Sequence, residues 1–338
     1  MNRLIALIKK HQVIAFFILT FAITWGLGFS YDAVIRKGSF LLAPLVFAAT
    51  CGPALAGIII TTITRAQPRE GTKRAYWIAF LVAWGVSTLV FLANNIVINH
   101  APFSPIIAGF TLVSVLPVAF VISMAYSRIP AMKRYLASLI RLRGVWGWVL
   151  LSLVLFPALV LLSNLVGDLL GKQSIAARPF SGTGLALIGL VAVKFFYQLF
   201  FFNATGEEVG WRGFALPRMQ SLTSPLVACL LLNVFWPLWH LFLWKAEGKP
   251  VYSLEYWGQT YLTHLSATVT LGWLYNRSKG SILVAGIAHA AANTTFAFFP
   301  NLDYAVYNWI VGGAALVMIV VDRMWKKLPS DHPAVYRE

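Results

Sequence analysis

Runs of about twenty mostly apolar residues recur from one end of this 338-residue chain to the other, and about that many are needed for one helix to cross a bilayer. Ten such runs can be counted, at roughly 13–30, 40–64, 76–98, 104–126, 146–167, 183–203, 224–244, 259–275, 281–299 and 304–322. The eighth and ninth are short and carry polar residues. Hydrophobic residues make up 59% of the chain and charged residues 11%, against roughly 25% charged in soluble domains, so a water-facing surface cannot be built from it. The expected fold class is all-α, a polytopic transmembrane helix bundle of about ten spans (eight to ten).

Charge sets the expected orientation. With the N-terminus cytoplasmic and all ten runs crossing, twenty of the 27 Lys and Arg fall on the cytoplasmic side. Six lie opposite (Arg36, Lys37, Lys172, Arg178, Lys245 and Lys249), and Lys194 sits inside a span. That bias predicts both termini cytoplasmic. The formal net charge of +16 is accounted for by basic loops beside anionic lipid headgroups, and no nucleic-acid-binding motif accompanies it, so membrane lipids are expected partners and nucleic acid is not. No A-x-A cleavage pattern closes the first run, which is read as a retained span. Cys51 and Cys229 both lie in apolar runs and predict no disulfide framework.

Polar residues interrupt the apolar runs mainly in the second half, and ionisable groups in a membrane are costly enough to mark function. In Gly206-Glu207-Glu208-Val209-Gly210-Trp211-Arg212, Glu208 and Arg212 are four apart and can pair on one helix face. Glu207 then points elsewhere, free for general acid–base work; equally, both glutamates could simply solvate a loop. His240 lies deep in the seventh run, where a hydrogen-bonded core histidine is the plainer reading. His289 and Asn293 share one face at i and i+4. They could stabilise an oxyanion or bond to a neighbouring helix. Simple counting puts Glu207 past the end of span six and His240 roughly 24 Å along span seven. The two can meet only if the helix from Glu207 to Arg218 is sunk in the bundle, with a break at Asn203 to Gly206. His264 reads as interhelical, and Lys194 as pairing with a glutamate or snorkelling.

Taken in order, Glu207-Glu208-x-x-x-Arg212, His240 and His289-x-x-x-Asn293 resemble the CPBP family of CAAX-processing and bacteriocin-processing (Abi) intramembrane proteases. The flanking Arg212-Gly213 and Gly280-Ser281-Ile282-Leu283 agree. One departure is Trp236 where the family has the Phe of Phe-x-x-x-His, with Phe235 displaced by one and Pro237 inside the motif. The resemblance implies a catalytic core at 183–300, preceded by N-terminal helices at 1–182 and followed by a last helix and tail at 301–338. It implies an endopeptidase in which Glu207, helped by His240, activates water, His289 and Asn293 hold the oxyanion, and Glu208, Arg212 and Trp236 support them. No cofactor is expected. Zinc held by Glu207, His240 and His289 is the mechanistic alternative. The expected partner is a peptide or protein substrate, lipidated or membrane-associated, and the expected location is a bacterial cytoplasmic membrane. Oligomeric state is not set by the sequence. A non-catalytic scaffold or immunity protein and a transporter are the competing functions, the latter weakened because the polar residues occupy one half only.

Overall fold

The computed structural model describes residues 2–65, 68–172, 184–299 and 302–337. Among them every regular element is a helix. Arg178 and the boundaries expected at 182–183 and 300–301 lie outside the described residues. After a short basic helix, α1 (Asn2–Lys10), the apolar runs appear in order. They are α2 (Gln12–Arg36), α3 (Ala43–Thr50) with α4 (Gly52–Thr64), α5 (Arg74–Ile98) and α6 (Pro105–Met124). After the surface helix α7 (Pro130–Ile140) come α8 (Trp146–Leu169), α9 (Gly184–Leu222) and α10 (Pro225–Ala246). The chain finishes with α11 (Leu254–Arg277), α12 (Ile282–Phe298) and α13 (Tyr304–Val321).

Seven of these helices are long and apolar enough to cross a bilayer, and the bent pair α3–α4 makes eight. The short, polar eighth and ninth runs correspond to α11 and α12: the former is outside that set, and the latter has 17 residues. The chain is thus an integral membrane protein with a helical bundle. Many large apolar side chains remain exposed on the outer faces of these helices, Leu81, Leu89, Leu150, Ile188 and Leu316 among them. In lipid such exposure carries no hydrophobic penalty.

The centre of the bundle is the 39-residue helix α9. From Leu199 to Glu208 and again from Trp211 to Ala215 it is π-helical rather than broken. The expected break at Asn203 to Gly206 is therefore a widening, and the chain runs on through it to Leu222. Small residues let neighbours reach its backbone. A Cβ on Gly206 would lie 2.8 Å from the Thr50 carbonyl oxygen, one on Gly210 would lie 2.4 Å from Pro53, and one on Gly286 of α12 would lie 2.5 Å from Ala204 Cβ. The 62° bend between α3 and α4 has a local cause. Pro53 has no N–H for the Ala49 carbonyl, which instead accepts from Thr24 Oγ1 at 2.8 Å. That hydroxyl in turn accepts from Trp239 Nε1 at 2.8 Å, tying α2, α3 and α10 together.

The two ends of the bundle differ. At one end, segments expected to be cytoplasmic meet: Arg65 donates to the Tyr336 hydroxyl, Tyr336 N–H donates to Pro217 and Gln220 to the Ala334 carbonyl at 2.9 Å. There too Arg218 donates to Gln12 at 2.8 Å. At the other end, Tyr31, Val46 and Ala246 form a separate apolar cluster with Val34, Phe242 and Leu243.

Candidate active site

The π-helical stretch carries Glu207 into the bundle beside α10, which resolves the apparent 24 Å separation. Glu207 and Glu208 are both buried, as is Arg212, so neither glutamate solvates a loop. They face different neighbours. Glu208 Oε1 accepts from Arg212 Nη1 at 2.8 Å and lies 2.8 Å from His289 Nδ1. The i,i+4 ion pair read from the sequence is present, and its third member, His289, was not foreseen. Glu207 Oε2 accepts from the Trp236 indole Nε1 at 2.7 Å, with His240 Nε2 at 3.8 Å.

Trp236 is the hub of the site. Its indole donates to Glu207, the Arg212 guanidinium lies 4.5 Å from its ring centroid, and the rings of His264 and His289 meet it edge-on at 5.1 and 5.3 Å. The departure from the family's Phe thus has a physical content: phenylalanine has no donor for Glu207. Phe235 turns the other way and stacks on Phe17 at 4.0 Å.

Pro237 leaves helix geometry usable at His240. The His240 N–H bonds back three residues to the Pro237 carbonyl. The Trp236 carbonyl is left to the His240 ring, whose Nδ1 lies 3.0 Å away. A carbonyl only accepts, so Nδ1 carries a proton, and in the neutral ring Nε2, the atom nearest Glu207, presents a lone pair. His264 is fixed in the same way by the Thr260 carbonyl at 2.8 Å.

A cavity of about 630 Å³ joins these groups, lined by Glu207, Trp236, His240, His264, His289 and Asn293. Asn293 shares the cavity with His289, as the i,i+4 spacing anticipated. From there the cavity runs past Phe47, Phe91 and Phe110 toward Asn95, Glu247 and Tyr304, at the end remote from the basic loops. Lys194 is not among its lining residues, and its Nζ lies 5.5 Å from the Tyr197 ring centroid. Sequence reading underweighted His264 and missed Trp244, which stacks on His240 at 4.6 Å and 7°. The available signal was spacing: Trp244 is four residues after His240. Among the described residues no three His, Cys, Asp or Glu side chains converge in an arrangement that could hold a metal ion.

Comparison with known proteins bears on the same segment. Residues 189–295 match the Type II CAAX prenyl endopeptidase Rce1-like family. The "CAAX prenyl protease 2" of Methanococcus maripaludis is 32% identical over 145 residues, covering 41% of this chain and 52% of that protein. The chain thus spans about half the length of that curated relative. The matched segment starts within α9 and ends within α12, and it contains Glu207, Glu208, Arg212, Trp236, His240, His289 and Asn293. Over this core the chain is similar to the Rce1-like CAAX prenyl endopeptidases.

Proposed function

We propose that this protein is an intramembrane endopeptidase that hydrolyses a peptide bond with water and no covalent intermediate. The observation that carries the reading is the placement of the Glu207 carboxylate, which is buried, held by Trp236 and 3.8 Å from the His240 Nε2 lone pair, at the wall of a cavity. Glu207 removes a proton from the attacking water while His240 orients it. The hydroxide adds to the carbonyl carbon, Asn293 and His289 donate to the oxyanion, and the proton returns to the departing amine as the C–N bond breaks. His289 Nδ1 is committed to Glu208, so donation uses Nε2 and requires a proton there as well. Glu208 supports that extra charge, and Arg212 anchors Glu208. The reaction as proposed uses no metal.

The substrate is proposed to be a peptide with an apolar or lipidated stretch, because the approach to the carboxylate is lined by aromatic rings. The basic end sets the orientation in a cytoplasmic membrane, bacterial in this proposal, with both termini inside. The cavity then opens toward the extracytoplasmic side, and the scissile segment enters from there.

The test is hydrolysis of a quenched-fluorescent peptide library by the purified protein, beside Glu207→Gln and with a zinc chelator. Cleavage lost in the variant and retained under chelation supports the glutamate mechanism. Cleavage lost to chelation and restored by zinc makes Glu207, His240 and His289 ligands instead. Absence of cleavage under every condition favours a non-catalytic scaffold or immunity protein.

A further inference from the structure

A second cavity, of about 760 Å³, lies at the basic end of the bundle, away from the active site. Six cationic side chains line it: Arg65, Arg134, Arg141, Arg218, Lys279 and Arg337. Among the described residues no Asp or Glu lines it. Three of the cations are bonded to uncharged groups. Arg65 donates to the Tyr336 hydroxyl, Arg218 to Gln12 and to the Phe214 carbonyl, and Arg337 to the carbonyls of Ser330 and Asp331. Their positive charge is therefore positioned but not neutralised by these bonds. With Arg141 and Lys279 also on its wall, this positive charge favours an anion that joins them.

The cavity is a built feature. Its far wall is the C-terminal segment, fixed by the bonds of Tyr336 N–H to Pro217 and of Gln220 to Ala334. Arg218 is buried between the rings of Phe214 and Tyr336, at 3.5 and 3.8 Å from their centroids. Burial pushes the Tyr336 phenol up, but the hydrogen bond from Arg65 and the charges of Arg218 and Arg65 outweigh it and leave the group below the ordinary tyrosine value. That lowering is what a concentrated positive field does to a group that ionises to an anion. Along the near wall, α7 buries Met132, Leu136 and Leu139 and exposes Lys133 and Arg134, which places the opening at the surface of the bundle.

We infer that this cavity binds a phosphate-bearing anion, either the headgroup of an anionic phospholipid or a small soluble phosphate ester. The guanidinium groups supply paired donors that match phosphate oxygens, and the volume accommodates a glycerophosphate-sized group.

The experiment measures binding to the full-length protein in detergent by native mass spectrometry and by thermal shift. The probes are phosphatidylglycerol, phosphatidylcholine and glycerol 1-phosphate. Phosphatidylglycerol retained in preference to phosphatidylcholine, with at least tenfold weaker retention in Arg141→Ala/Lys279→Ala, supports the site with a lipid occupant. Protection by glycerol 1-phosphate that is lost in the same variant supports it with a soluble occupant. Arg141 and Lys279 are exposed, so the variant should melt as the parent does without ligand; Lys279→Ala alone serves if the double variant does not. Equal retention of both lipids with no glycerol 1-phosphate effect, or binding unchanged in a folded variant, overturns the inference.

Discussion

The indole Nε1 of Trp236 lies 2.7 Å from Glu207 Oε2, and both residues are buried. Trp236→Phe keeps a ring beside Arg212 and removes that donor. A hydrogen bond to a charged group contributes about 1.5–3 kcal/mol, so the variant should melt lower, and kcat should fall roughly 10- to 100-fold as Glu207 loses its anchor. Steady-state kinetics on any peptide that the protein cleaves checks this. Unaltered kcat would mean that Glu207 is positioned without the indole.

Glu208 has two partners, Arg212 and His289, each at 2.8 Å. Glu208→Gln leaves a buried guanidinium without its carboxylate, a change that costs about 3–5 kcal/mol when a buried pair is broken. The variant should therefore melt markedly lower and lose activity. Because the remaining Arg212 charge causes much of that loss, Glu208→Gln/Arg212→Met should be more stable than Glu208→Gln alone. A thermal-melt double-mutant cycle measures the coupling, and simple additivity would contradict the structure.

How much of this was legible in the sequence depended on whether the property was local. Helices were legible because each apolar run is long enough to impose one, and Glu208–Arg212 was legible because i,i+4 spacing is intrinsic to a helix. The depth of Glu207 was not. It depends on the π-helical stretch and on the close approach of Thr50 and Pro53 to Gly206 and Gly210, neither of which leaves a periodic signal. The bond between Glu208 and His289 joins residues 81 apart, so only the packing of α12 on α9 creates it. Trp236 looked like a departure from a motif and proved to be a hydrogen-bond donor, which side-chain chemistry explains once Glu207 is placed beside it.

Gly210→Ala tests that close approach. Its methyl group would lie 2.4 Å from Pro53 backbone and side-chain atoms, and overpacking of this kind costs about 1–3 kcal/mol. A lower melting temperature is expected, together with reduced activity, since Glu207 is three residues away. Gly85→Ala, whose methyl group would meet nothing within 4 Å, is the matched control and should be neutral or slightly stabilising.

Thr24→Val removes the hydroxyl that accepts from Trp239 and donates to Ala49. Stranding a buried donor and a buried carbonyl costs about 1–3 kcal/mol each, although the shape is nearly conserved. The melting temperature should drop, whereas Thr88→Val should change little because that hydroxyl only bonds back to the carbonyl of its own helix. Equal melting temperatures for the two variants would remove Thr24 from the account of the bend.

Along α9, from Glu207 at the active-site cavity to Arg218 at the basic cavity, the side chains of Trp211, Phe214 and Leu216 form a fully buried layer. A hydrolase in a bilayer has to admit water to its carboxylate, yet a continuous water column from face to face would dissipate the ion gradients that the membrane maintains. This layer lets one region be wet while the other stays sealed from it. The protein is therefore expected to act as an insulator, and the rings beneath Glu207 matter to the cell's permeability barrier independently of the proposed hydrolysis.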